Sequence, residues 1–201
     1  MNENNNTRSA GMSAPVRFRP ELTFYHANPK GTGCALSMSL HPAHDRTDGC
    51  IMARFANQMT VGNAHGPTPT FPHFDWENAI NVKLDFSDLC RILQVLRGEC
   101  EALEGDHGLY HRSVNANTRI VLRHVLEPVS GYSLEVYRMP LGKSEDERRA
   151  HIFIGNWEAL GLTEAIAGSL AVISFGIPVV LPHDTSAYTA AVKERRNAPA
   201  A

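Results

Sequence analysis

Lysine is scarce in this chain, with 4 residues against 15 arginines in a sequence of 201. An overall basic excess is missing too: the formal net charge is −2 and the isoelectric point lies near 6.5. Such a balance gives no global pull on a polyanion, so any nucleic-acid binding rests on a local patch. Arginine suits stacking and bidentate phosphate contacts better than lysine does, although GC-rich codon usage produces the same bias. Cysteine is sparse as well. Cys34, Cys50, Cys90 and Cys100 form neither a CxxC nor a paired framework. That excludes a disulfide scaffold and points to reduced, small core residues of a cytosolic protein. No apolar run is read as long enough to span a bilayer, and no basic-then-apolar leader opens the chain. No membrane partner and a cytoplasmic setting are therefore expected.

Catalytic signatures are absent. There is no GxSxG, no HExxH and no nucleophilic Cys-His string. The GKS of GKSEDERR lacks the first glycine of a phosphate loop and no helix pattern follows it, so it reads as a solvated hairpin loop. The chain is expected not to be an enzyme and to need no cofactor. Two loops hold metal-ligand types: HPAHD with His41, His44 and Asp45, and HGPTPTFPHFD with His65, His73 and Asp75. A closed site needs four ligands in fixed geometry, which this spacing does not secure. They are read as exposed loop donors, with no metal.

What is present is alternation. Residues 22–27 read as a strand, ended by the turn NPKGTG. In CALSMSLH, residues Cys34, Leu36, Met38 and Leu40 face one way and Ser37, Ser39 and His41 the other. GCIMARFAN is a third strand, with Ile51, Ala53 and Phe55 opposite Met52 and Arg54. AINVKLDF is a fourth, with Ile80, Val82, Leu84 and Phe86 inward and Asn81, Lys83 and Asp85 outward. Ser87 then caps a helix whose Leu89, Ile92, Leu93 and Leu96 fall at helical spacing, closed by Gly98. The second half repeats the order: GLYHRS, TRIVLRHVLEP, YSLEVYRM and AHIFIG are strands, and Asn156 caps the apolar helix WEALGLTEAIAGSLAVISFG. The fold class expected is α+β, a duplicated ββββα-ββββα plan of two antiparallel four-stranded sheets, with helices forming an oligomer core. Residues 1–20 and 179–201 are expected as tails around a domain at 21–178, with Lys193, Arg195 and Arg196 in the charged C-terminal end.

One face of each sheet is covered by helices in such a plan. The opposite faces carry Arg54, Lys83, Arg119 and Arg123, with Arg138 as a further candidate and Tyr25, Tyr110 and Tyr137 nearby. Arginine and tyrosine on an open sheet suit single-stranded nucleic acid, bases stacking on rings and cations holding phosphates. A solvated antiparallel face uses the same residue types. The second helix, with Trp157, Leu160, Leu162, Ile166, Leu170, Val172, Ile173 and Phe175, is apolar nearly all round, which asks for burial between subunits. Ala167, Gly168 and Ala171 allow close approach there.

Several strings resemble the Whirly single-stranded DNA-binding proteins. FDWEN, before the fourth strand, resembles that family's aromatic-Asp-Trp-Glu string. KGTGCAL, at Lys30–Leu36, resembles its lysine-glycine-lysine-alanine-alanine-leucine motif, departing by Thr32 for the second lysine and by one extra residue. GYSLEVYR and IFIGNWEALGLTEAIAGSLAVISFGIP resemble strands and the last helix of the second half, so the likeness covers about residues 22–178. It implies two sheets set crosswise like propeller blades, helices at the centre of a homotetramer, and single-stranded DNA running along sheet edges with little sequence preference. It implies a DNA-maintenance or transcription role, nucleoid-associated if the source is bacterial. The residues expected at the nucleic acid are Lys30, Arg54, Trp76, Lys83, Arg119, Arg123 and Tyr137. Two alternatives stay open: an RNA-binding relative of the same fold, or a protein-assembly module that has lost nucleic-acid binding.

Overall fold

The computed structural model describes residues 21–176 apart from 44–46, 64, 66 and 143–145. The expected tails, and Lys193, Arg195 and Arg196, lie outside those residues, as do His44 and Asp45. β1 (Glu21–His26), β2 (Cys34–His41), β3 (Cys50–Thr60) and β5 (Ile80–Leu84) pair antiparallel in the order β1-β2-β3-β5. The far end of β3 also carries a two-residue strand, β4 (His73–Phe74), where a plain loop was expected. Helix α1 (Phe86–Leu96) follows. The second sheet runs in sequence order through β6 (Leu109–Arg112), β7 (Ala116–Val125), β8 (Gly131–Pro140) and β9 (Arg148–Gly155), and leads into α2 (Asn156–Phe175). The α+β plan of two antiparallel four-stranded sheets and two helices is thus present, with β4 the addition.

The alternation decides which faces meet. Leu36, Phe55 and Val82 from the first sheet, Ile120, Leu122 and Ile152 from the second, Leu89 and Val95 from α1, and Leu162 and Ile166 from α2 belong to one buried cluster. Burying each side chain of this size contributes ~1.5–3 kcal/mol. β9 is the seam between the sheets, since it touches β2, β3 and β5 as well as its partner β8. Across that seam Asn57 Nδ2 donates to the Arg149 carbonyl at 2.9 Å.

Helix ends correct three expectations. Phe86 is exposed and begins α1 rather than ending a strand inward. The N-cap is Asp85, not Ser87: its carboxylate accepts from Asp88 N–H at 2.9 Å, and Asp88 accepts back from Asp85 N–H at 3.1 Å. This reciprocal box satisfies two orphan donors at once, which a single serine cannot. α2 starts at Asn156 itself, so Gly155 is the N-cap and Glu158 accepts from its N–H at 2.9 Å. At the other end of α1, Tyr132 O–H donates to the free Leu96 carbonyl at 3.1 Å, and Gly98 takes a left-handed turn at φ +73°. Cys34 and Cys50 are buried as expected, but Cys100 is exposed and is no core residue. Burial pushes the Cys34 thiol up to about 12.

One further correction concerns α2. At 20 residues it is long and apolar enough, by composition, to cross a bilayer. A helix in lipid offers apolar side chains on every side, whereas α2 packs Leu162, Ile166 and Ile173 into the protein core. Its outer surface is mixed: Trp157 is 78% exposed, Leu160 67% and Phe175 80%, with Gly161, Gly168 and Ala171 exposed between them, and Glu164 and Ser174 are exposed as well.

Candidate nucleic-acid interface

On the first sheet, the face turned away from the core carries Tyr25, Arg54 and Lys83 in β1, β3 and β5. Tyr25 is 62% exposed and stands opposite Ala35, which pairs with Ala56; both alanines are fully buried. These small residues leave room for larger rings above them. Phe74 and Trp76, delivered by β4 and the turn after it, supply those rings. Tyr25 meets Phe74 at 5.6 Å between centroids and Trp76 edge-on at 6.4 Å. The Arg54 guanidinium lies 5.3 Å over the Trp76 ring, and its Nη2 donates to the Trp76 carbonyl at 3.2 Å. Trp76 is half-buried. It therefore both packs into this cluster and keeps ring surface open to solvent. Lys83 stands on the same face, one diagonal step from Arg54 in the β3–β5 register.

On the second sheet, the register places Arg119, Tyr137 and Arg149 side by side on β7, β8 and β9. Both guanidiniums flank the Tyr137 ring, at 5.0 Å for Arg119 and 5.1 Å for Arg149. The Tyr137 hydroxyl donates to Glu135, which also pairs with Arg123 at 3.0 Å and with Arg149 at 2.5 Å. Glu135 is only 6% exposed. Burial pushes its carboxyl up, but the hydrogen bonds from Tyr137 and Arg149 outweigh this and hold it below the usual carboxylate range. The same bond from Tyr137 to Glu135 raises the phenol, and the pair with Glu135 raises Arg149. Arg119, Arg123 and Arg149 against the carboxylates of Glu135 and Glu147 leave a small positive surplus on this face, which suits phosphate. Arg119 is the member of the group that makes no ion pair among the described residues.

Lys30 sits apart from both clusters, in the turn between β1 and β2. Asn28 Oδ1 accepts from the N–H groups of Lys30 and Thr32 at 3.0 and 3.1 Å. The buried Gln58 side chain accepts from Asn28 and Gly33 N–H and donates to the Asn28 and Thr60 carbonyls. The turn is thereby held against the end of β3. Gly33 is obligatory there, because a Cβ would lie 2.2 Å from the His26 carbonyl oxygen. A cleft joins this turn to Arg149 and His151 of β9.

Lys30, Arg54, Trp76, Lys83, Arg119, Arg123 and Tyr137 thus fall into the Trp76 cluster, the Tyr137 cluster and the turn. Arg138 does not join them. It alternates with Tyr137, points from the other side of β8, and lies near the Asn81 carbonyl at 3.5 Å. Arg149 and Glu135 were missed. Arg149 was assigned to the charged loop before AHIFIG, yet carrying that alternation two residues back places it outward beside His151. Glu135 is the acid in YSLEVYR and shares the period-2 face of Tyr137. Phe74 sat in a segment read as loop and left no comparable signal. Among the described residues, no three metal-ligating side chains cluster.

No protein-family model matches the sequence and no curated protein matches it. Solved structures do match. WHY1 from Arabidopsis thaliana is similar at 15% identity, over 94% of this chain and 98% of that one, with a TM-score of 0.61. WHY3 from Arabidopsis thaliana is similar at 17% identity over 90% and 98%, TM-score 0.60. The plant transcriptional regulator PBF-2 is similar at 14% identity over 89% and 88%, TM-score 0.57. At these identities the likeness is one of backbone, and it establishes a Whirly-type fold along nearly the whole chain.

Proposed function

We propose that this protein binds single-stranded DNA, with little sequence preference, as a homo-oligomer assembled on α2, and that it acts by binding rather than by catalysis. The observation that carries the reading is the pair of aromatic–guanidinium clusters on the outward sheet faces, Tyr25–Phe74–Trp76–Arg54 and Arg119–Tyr137–Arg149. Rings with open faces accept any base, and cations beside them accept the backbone. Trp76 and Tyr25 present the stacking surface, while Arg54, Lys83, Arg119, Arg149 and Lys30 hold phosphates. Tyr137 acts chiefly by positioning its two arginines. The resemblance of the FDWEN and KGTGCAL strings to the Whirly family, and the shared fold, support the same reading. Assembly on α2 is supported by its exposed stripe Trp157, Leu160, Gly168, Ala171 and Phe175, in which small residues lie between large apolar ones and Glu164 is the one charge. A tetramer closed by these helices brings the outward faces of several protomers within reach of one strand.

The test is fluorescence anisotropy with labelled single-stranded DNA, duplex DNA and single-stranded RNA over a salt series. Five cations at the strand give a log–log salt slope of about −3.5. Absence of binding to single-stranded DNA at micromolar protein and low salt refutes the proposal. Tighter binding to RNA moves it to the RNA-binding reading.

A further inference from the structure

We infer that Tyr110 is a further base-stacking residue, and that one nucleobase of the bound strand seats in the cleft between its ring and Arg119. This rests on the reading above, that single-stranded DNA crosses this face. Around the arginine cluster Tyr137 lies between two guanidiniums and Tyr132 is buried, so neither offers a free ring face. Tyr110, on the edge strand β6, is 62% exposed. Its neighbours hold its backbone and leave its ring free. Leu109 pairs with Ile120 and His111 with Thr118 on the inward face. Leu109 is buried there, and His111 Nε2 meets Asp88 Oδ2 of α1 at 3.0 Å. Alternation then turns Tyr110 to the outer face, opposite Arg119. Gly108 enters the strand at φ +76°, where a Cβ would lie 2.3 Å from the Ile120 carbonyl oxygen, so β6 runs close against β7. A base that stacks on Tyr110 therefore meets a ring on a fixed support and orders little else.

The cleft beside it holds about 320 Å³ and is lined by Tyr110, Asn117, Arg119, Tyr137, Met139 and Glu147. That volume is at the lower end of the range for small-molecule sites. Its lining suits a base better than a phosphate. Tyr110 and the exposed Met139 offer apolar surface, and the Glu147 carboxylate repels an anion. Arg119 is the cation of the lining, and it makes no ion pair among the described residues. With its guanidinium 5.0 Å over the Tyr137 ring, it is placed to hold the phosphate attached to the seated base. Tyr110, Arg119, Tyr137 and Arg149 form one row across β6, β7, β8 and β9. The row thus offers a ring for the base at the sheet edge and cations for the backbone further in. Every base has a π-face, so stacking at Tyr110 adds affinity without sequence preference.

The experiment measures anisotropy of the full chain with labelled dT20 over a salt series, for the wild type, Tyr110→Ala and Tyr110→Phe. It also maps ultraviolet cross-links of the wild type to the same strand carrying 5-iodouracil. Tyr110→Ala weakens binding about tenfold, within the range for one base on one ring, and Tyr110→Phe, which keeps the ring, stays within about twofold of the wild type. The log–log salt slope is the same in all three, because no cation is lost. The cross-links include Tyr110. Wild-type affinity in Tyr110→Ala, or no cross-link at Tyr110, overturns the inference and leaves the proposed function standing. A loss in Tyr110→Phe as large as in Tyr110→Ala also overturns it, because the hydroxyl and not the ring then binds. A shallower slope in Tyr110→Ala does the same, because the loss then runs through phosphate contacts. No binding of dT20 by the wild type overturns both. The cross-link is read on the wild type, so that arm does not depend on a variant folding.

Discussion

Glu135→Gln separates the two roles of the arginine cluster. The carboxylate accepts from Tyr137, Arg149 and Arg123 while 6% exposed. The arginine side chains are 44% and 59% exposed, so water screens their pairs and each is worth a surface value of ~0.5 kcal/mol. The Tyr137 bond to a charged acceptor adds ~1.5 kcal/mol. Glutamine keeps the shape and one acceptor oxygen but not the charge, so the total lost is about 2 kcal/mol. For a domain of this size that lowers Tm by about 4–8 °C in calorimetry. Binding moves the other way. With the Glu135 charge gone, Arg123 and Arg149 lose the carboxylate they pair with, and the salt slope for single-stranded DNA steepens by about 0.7. A Tm within about 1 °C of wild type refutes the claim that this network stabilises β7, β8 and β9 together. A shallower slope refutes the assignment of this face to phosphate.

Trp76→Ala removes a stacking ring and lowers affinity for single-stranded DNA by ~1–3 kcal/mol, read by anisotropy at fixed salt; unchanged affinity places the strand elsewhere. Leu160→Glu puts a charge in the exposed α2 stripe, and sedimentation velocity then shows a smaller species with unchanged circular dichroism; an unchanged sedimentation coefficient rules out assembly on this stripe. His111 Nε2 lies 3.0 Å from Asp88 Oδ2, an ion pair between β6 and α1. The hydrogen bond to Asp88 raises His111 above its ordinary 6.5 despite burial, whereas Asp88, pushed up by burial, is held below its ordinary 3.8 chiefly by His111 and Asp85. The His111 contribution is complete below pH 6.5 and lost as pH rises through its raised folded value; the Asp88 contribution is complete above pH 3.8 and lost as pH falls through its lowered one. Urea unfolding therefore shows this stabilisation between about pH 4 and 6.5, and His111→Ala flattens it; an unchanged pH profile in the variant refutes the assignment.

The strands were legible because one face of each is buried against the common core, and burial on one face writes period 2 into the chain. Ile51, Ala53 and Phe55 against Met52 and Arg54 show it directly. The helix caps were less legible, because two acidic residues three apart outbid the serine between them and the Glu158 carboxylate replaced an asparagine cap. At the interface the individual cations were visible, but not their grouping. Whether Tyr137 offers its ring to a base or to two guanidiniums depends on β7 and β9 flanking β8, a pairing that no local string encodes. Phe74 entered its cluster through a two-residue strand, too short to leave a period.

His26 Nε2 meets Glu158 Oε1 at 2.8 Å, a contact between residues 132 positions apart that joins the edge strand β1 to the start of α2. On a ribosome, β1 emerges early and waits for nearly the whole domain before its partner exists. Closing so long a loop is slow, because the entropy is lost before the contact forms. Until α2 arrives, Leu22 and Leu40 beside the α2 groove have no helix to lie against. The apparent duplication of the chain therefore does not yield two halves that fold in turn. The domain matures as a unit only once α2 has been made, and truncation before Glu158 leaves apolar sheet surface without its helix and prone to association.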